Sequence, residues 1–133
     1  MNISELIAAK SNFEDNTKWL PFSVHASDTA GIIKRLFNKW IAQNVRRRLC
    51  AAIGIESSEN AEAIVCNYCV FIALVHDIGK LTPAFQRKLK DNIQGLADRL
   101  LDAGIDLSDL TQISESPHNI AGQYILKKEF EVA

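Results

Sequence analysis

Apolar residues recur along most of this chain at the three- and four-residue spacing that places them on one face of a helix. Ile3, Leu6 and Ile7 predict a short N-terminal helix, and a polar stretch follows over 11–18. From Val24 onward, Ile32, Ile33, Leu36, Phe37, Trp40 and Ile41 make the stripe of a half-buried helix. Residues 54–60 interrupt the pattern and offer Ser57 or Ser58 as an N-cap. The segment 61–76 is apolar almost all round, through Ile64, Val65, Cys69, Val70, Phe71, Ile72, Leu74 and Val75, so it is expected to be the most buried helix. Thr82-Pro83 and Ser116-Pro117 each set a capping hydroxyl before a proline suited to the first helical position. They predict helices over 83–93 and 117–130. Between them, Leu96, Leu100, Leu101 and Ile105 form another amphipathic piece ending near Gly104. With no alternating strand pattern, repeat or low-complexity segment, the chain reads as one all-α domain over 1–133.

Composition narrows the class of protein. The 133 residues are 47% hydrophobic and 23% charged, as in an ordinary folded globule. Fifteen Lys and Arg against 16 Asp and Glu give a net charge of −1, which removes any whole-chain electrostatic argument for nucleic-acid binding. The longest uninterrupted apolar run covers 69–75, far short of the about 20 residues of a transmembrane helix, so no membrane span is expected. Glu5, Lys10, Glu14, Asp15 and Lys18 break up the first twenty positions, and nothing there marks the chain for export.

Cys50, Cys66 and Cys69 are an odd number of cysteines, so a disulfide framework is not expected and free thiols in a reducing cytoplasm are. Cys66-Asn67-Tyr68-Cys69 spells C-x-x-C, the pattern of a redox pair or half a zinc site. No second such pair accompanies it, and within an apolar segment cysteine packs well as a small hydrophobe.

The chain has three histidines: His25, His76 and His118. His76 is followed by Asp77 and then Ile78-Gly79-Lys80, at the end of the most apolar segment. An imidazole and a carboxylate on adjacent residues can share one cation, and that donor pair suits Mn, Fe, Co, Ni or Zn rather than Ca. Gly79 is placed to end the helix in a left-handed conformation, which would let Lys80 turn back toward the metal. His25 is a candidate for a further ligand. A His-Asp dipeptide is common, and His25 or His118 alone is more often a capping or partly exposed residue. Burying the pair behind an apolar helix is nonetheless costly unless it is matched by partners or a metal.

The string HDIGK, led by FIALV and followed by LTPAFQRKL, resembles the metal-dependent HD phosphohydrolase superfamily. More narrowly, the chain resembles the HD nuclease domain of type I CRISPR-associated nuclease-helicases. Ala9-Lys10-Ser11, Trp19-Leu20-Pro21-Phe22 with His25 and Asp28-Thr29, and Pro117-His118 with Gly122 and Ile125-Leu126 follow in the family's order. The resemblance implies an HD-domain-like helical bundle. His25, His76 and Asp77 would then hold a first divalent metal, with Asp77 bridging to a second held by His118. Lys80 would contact the scissile phosphate or orient the attacking water. The implied substrate is single-stranded DNA, fed by a helicase domain of the same full-length protein after recruitment by an RNA-guided surveillance complex.

One departure tempers this. The family's domain continues past the position of His118 with further histidines and a final aspartate, whereas here only Glu129 and Glu131 follow as acidic residues. The chain is therefore expected to be the N-terminal part of such a domain, weakly active or inactive alone. Self-association is expected through the 117–130 helix, where Ile120, Tyr124, Ile125 and Leu126 would lack a cover. Arg87, Lys88 and Lys90 are the candidate DNA track; Arg46-Arg47-Arg48, with Lys34, Arg35 and Lys39, reads better as a solvated face. Trp19 offers a ring for base stacking or, more commonly, for the core. The alternative functions are an HD phosphohydrolase acting on nucleotides and a catalytically impaired binding or regulatory module.

Overall fold

The computed structural model describes residues 3–108 and 117–131. In chain order the elements are α1 (Ile3–Leu6), β1 (Ala8–Ser11), β2 (Trp19–Pro21), α2 (Phe22–Lys39), α3 (Gln43–Ala52), α4 (Ala61–Val75), a 3-10 turn (Ile78–Leu81), α5 (Pro83–Leu89), α6 (Leu96–Asp102) and α7 (His118–Phe130). The helical reading holds, with one correction to the expectation of no strands. β1 and β2 pair antiparallel, Ala8 opposite Pro21 and Ser11 opposite Trp19, with an irregularity between Ala8 and Lys10. Strands of four and three residues are too short to show an alternating pattern.

Two compact units divide the chain. The first takes residues 1–26 and 76–133. Its core is built from Ile7, Ala8, Ala9, Phe22, Ala26, Ile93, Leu96, Leu100 and Leu107, with Trp19, Leu81 and Leu89 packed against it. α6 contributes Leu96 and Leu100, both with no exposed surface; it ends at Asp102, and Gly104 just beyond has a φ of +83° that suits a residue without a Cβ. α5 stops at Leu89, four residues before the expected Ile93. Pro83 does occupy its first turn, but the Thr82 hydroxyl donates to the Gly79 carbonyl at 2.7 Å instead of capping the helix. α7 begins at His118 with Pro117 as its N-cap, and Ser116 lies outside the described residues.

The second unit takes residues 27–75. Phe37 of α2, Cys50 of α3, and Ala61, Val65 and Cys66 of α4 form its core, flanked by Ile41, Ile55, Cys69 and Val70. The cysteines are free, as expected, and Cys66 is part of the core. Two expectations about burial need correcting. The predicted stripe of α2 buries Phe37 but leaves Ile32 and Trp40 exposed. α4 is not buried all round: Ala61, Val65, Cys66 and Ala73 are inside, whereas Tyr68, Phe71, Ile72 and Leu74 are exposed. An apolar helix is covered only where another element lies against it, and composition cannot say how many sides that is. By length and composition alone, the stretch Ala61–Leu81, with 21 residues and a mean hydropathy of 1.6, is long and apolar enough to cross a membrane, contrary to expectation. Its regular helix, however, ends at Val75. Fifteen helical residues span about 22 Å, short of a hydrocarbon core of about 30 Å. Beyond them come Asp77 and Lys80.

Candidate metal centre

Three separate stretches of the first unit carry the candidate residues to one place. His25 lies one turn into α2, His76 and Asp77 follow the end of α4, and His118 opens α7. Gly79 fixes this convergence, though not by the means expected from its place after a helix. Its φ is not positive; the residue sits in the 3-10 turn, pressed against the backbone of α7. A Cβ on Gly79 would collide with the His118 carbonyl oxygen and stand 2.7 Å from the Gly122 nitrogen. Gly122 is also buried, and a Cβ there would meet the Gly79 nitrogen at 3.3 Å. Two glycines thus let main chain lie on main chain, and that contact sets the start of α7 and with it His118.

Asp77 is at the centre, 9% exposed. Its Oδ2 lies 2.8 Å from His25 Nε2, 3.2 Å from His76 Nε2 and 2.7 Å from Lys80 Nζ. The other oxygen, Oδ1, lies 3.4 Å from His118 Nε2. Burial pushes the Asp77 carboxyl up, but the hydrogen bonds from Lys80 and His25 and the fields of Lys80 and His76 outweigh it. The carboxyl therefore ionises below its ordinary value.

His25, His76 and Asp77 each offer one ligand atom, and these atoms lie within 4.8 Å of one another. Two imidazole nitrogens and a carboxylate oxygen at that separation fit a divalent transition metal, and half-exposed His76 leaves the cluster open to one side. His118 lies outside this group, against the opposite carboxylate oxygen.

Two neighbouring side chains were missed by the sequence reading. Phe85 meets the His118 ring edge-on, centroids 5.4 Å apart, and the Lys80 ammonium lies 5.8 Å from the centroid of the Phe85 ring. Gln86, 2% exposed, donates from Nε2 to the carbonyls of Ala8 (2.8 Å) and Lys80 (2.7 Å), and its Oε1 accepts from the Ala8 N–H (3.0 Å). The one available signal was their place in LTPAFQ, directly behind the dyad.

The candidate DNA track lies on and just after α5, and the cluster around Asp77 is built without it. Lys88 and Lys90 are exposed, Lys90 pairing with Asp91 at 3.6 Å, while Arg87 is half-buried. Trp19 packs against the core with the Arg99 guanidinium 5.1 Å over its ring. In the second unit Arg46 pairs with Glu62 at 3.3 Å.

Comparison with known proteins extends these observations. The CRISPR-associated nuclease/helicase Cas3 of Streptococcus thermophilus is 34% identical over 135 aligned residues. The alignment covers 94% of this chain but 14% of that protein, so the chain spans about one seventh of its relative's length. No solved structure matches the chain. The family described as "Cas3, HD domain" matches residues 9–133, a span that takes in His25, the His76-Asp77 dyad, Lys80 and His118, and the chain accordingly belongs to the HD-domain family of Cas3.

Proposed function

We propose that this chain is a metal-dependent nuclease module of CRISPR interference, hydrolysing phosphodiester bonds of single-stranded DNA. The observation that carries the reading is the convergence of His25, His76 and Asp77 on one point, with His118 on the far oxygen of the same carboxylate. The name of the Streptococcus relative, a nuclease/helicase, supports it. His25, His76 and Asp77 would hold a first divalent ion among Mn, Fe, Co, Ni and Zn, and Asp77 with His118 a second. Such ions supply an activated water and neutralise charge on the phosphate and the leaving oxygen.

The chain's own residues do the rest. Asp77 stays ionised at neutral pH because Lys80 and His25 favour its charged form. Lys80 pairs with that carboxylate at 2.7 Å, and its ammonium would hold a phosphate oxygen. Phe85 lies against both Lys80 and His118. Partners that accompany this reading are a helicase portion of the same protein and an RNA-guided surveillance complex.

Calorimetric titration with Mn, Co, Ni and Zn, run beside cleavage of labelled single-stranded DNA, tests the proposal. Wild-type chain should bind metal and Asp77→Ala should not; equal binding by both would remove the assignment. Excess mononucleotide should leave DNA cleavage unchanged. Strong competition would instead favour a nucleotide phosphohydrolase.

A further inference from the structure

We propose that the loop joining β1 to β2 is a stacking site for a base of single-stranded nucleic acid, with Phe13 as its platform. The inference deepens the nuclease reading and rests on it for the class of ligand. Phe13 is 97% exposed, the barest large apolar side chain among the described residues. It is held in the open by a loop that is fastened throughout. The Asn12 N–H donates to the Lys18 carbonyl at 3.2 Å, and the Lys18 N–H to that of Asp15 at 3.0 Å. The side chains of Asn12 and Asp15 accept from the N–H groups of Glu14 and Thr17. The Gln94 N–H donates to the Asn16 carbonyl at 2.9 Å, tying the loop to the segment before α6.

Beside the ring is a concavity of about 450 Å³ lined by Lys10, Asn12, Phe13, Lys18 and Trp19, among others. That volume is ample for one nucleotide. The Arg99 guanidinium lies 5.1 Å over the ring of Trp19, itself part of the lining. Charge in the site is close to balanced: Lys18 is paired with Asp15 at 2.9 Å, and Glu14 lines the concavity together with Lys10. The site therefore offers stacking more than phosphate neutralisation, which any base can use. Phe13 is also five residues from Ala8, at most about 18 Å of extended chain. Ala8 shares Gln86 with Lys80, so a strand resting on Phe13 stays within a few nucleotides of the metal centre.

The test is fluorescence anisotropy of a short labelled oligothymidylate with the whole chain, metal chelated so that the strand stays intact. Phe13→Ala should weaken binding about 5- to 150-fold, the effect of losing one base–aromatic stack, and Phe13→Trp should retain it. The melting temperature should not move, because the side chain touches no core. Glu14→Gln should tighten binding, and the slope of log affinity against log salt should stay shallow, about −0.7 for a single phosphate contact on a single strand. Phe13→Ala binding within about twofold of wild type would overturn the inference; so would a wild-type chain that binds no oligothymidylate, as expected if the ring instead seats a protein. Cleavage separates the two readings: unaltered metal-dependent cutting by Phe13→Ala, lost in Asp77→Ala, would discard the stacking site and leave the nuclease standing.

Discussion

Replacing Gln86 by Leu keeps the volume of a buried side chain and removes three hydrogen bonds at once. Ala8 is the residue most dependent on them. It has no exposed surface, and its partner across the sheet is Pro21, which has no N–H to give. The Gln86 carboxamide serves both the N–H and the C=O of Ala8, as a neighbouring strand would. In the Leu variant those two groups are stranded away from water, each at about 1–3 kcal/mol. The Lys80 carbonyl belongs to a half-buried residue and can turn to solvent, so it adds little. The expected loss is therefore about 2–6 kcal/mol, a large share of the stability of a chain this size. Urea unfolding followed by circular dichroism should show it as a lower midpoint at unchanged slope. Gln94→Leu, at an exposed position, should stay within about 0.5 kcal/mol. A Gln86→Leu loss below about 1 kcal/mol would refute the claim that this carboxamide closes the edge of β1.

Gly79→Ala should cost about 3 kcal/mol or more and abolish metal binding, since its methyl group must push α7 away; near-wild-type binding in a titration would contradict the packing. The lowered pKa of Asp77 means that its stabilising contribution is full above the unfolded carboxylate value of about 4 and fades as pH falls through the lower folded value. The stability gap between wild type and Asp77→Asn in metal-free buffer should accordingly shrink on acidification from neutral pH, and a gap that widens would reverse the sign. Lys80→Met removes the chief force holding Asp77 ionised, so the acid limb of metal affinity should move to higher pH; calorimetry across the acid range would show whether it stays put.

Much of the candidate metal centre was legible because its residues belong to rare types. With three histidines in the chain and one of them beside an aspartate, few convergent sets could be drawn, and the structure brings His25, His76 and Asp77 together. The helices were legible wherever an apolar stripe had a punctuating residue at its end, as at Pro83 and Gly104. Packing partners were not. Gly79 looked like a helix terminator because local sequence supplies that use, whereas its actual role depends on a helix 39 positions away at His118. Gln86 was given no role from the sequence; only the edge of β1, a strand too short to announce itself, gives it a purpose. The apolar sequence of α4 described what that helix could bury rather than what covers it.

His25 and Asp77 are 52 positions apart, yet their side chains meet at 2.8 Å. Bringing together the ends of a flexible segment that long costs about 3.5 kcal/mol in chain entropy, apart from a length-independent constant. A contact between two such groups cannot repay that on its own, so the pair forms only when the rest of the first unit has folded around it. His118 adds a further closure from the other side of the dyad. The His25, Asp77 and His118 side chains therefore come together only with the finished fold. An ion that binds only the folded chain then stabilises it in proportion to the logarithm of the ion's concentration.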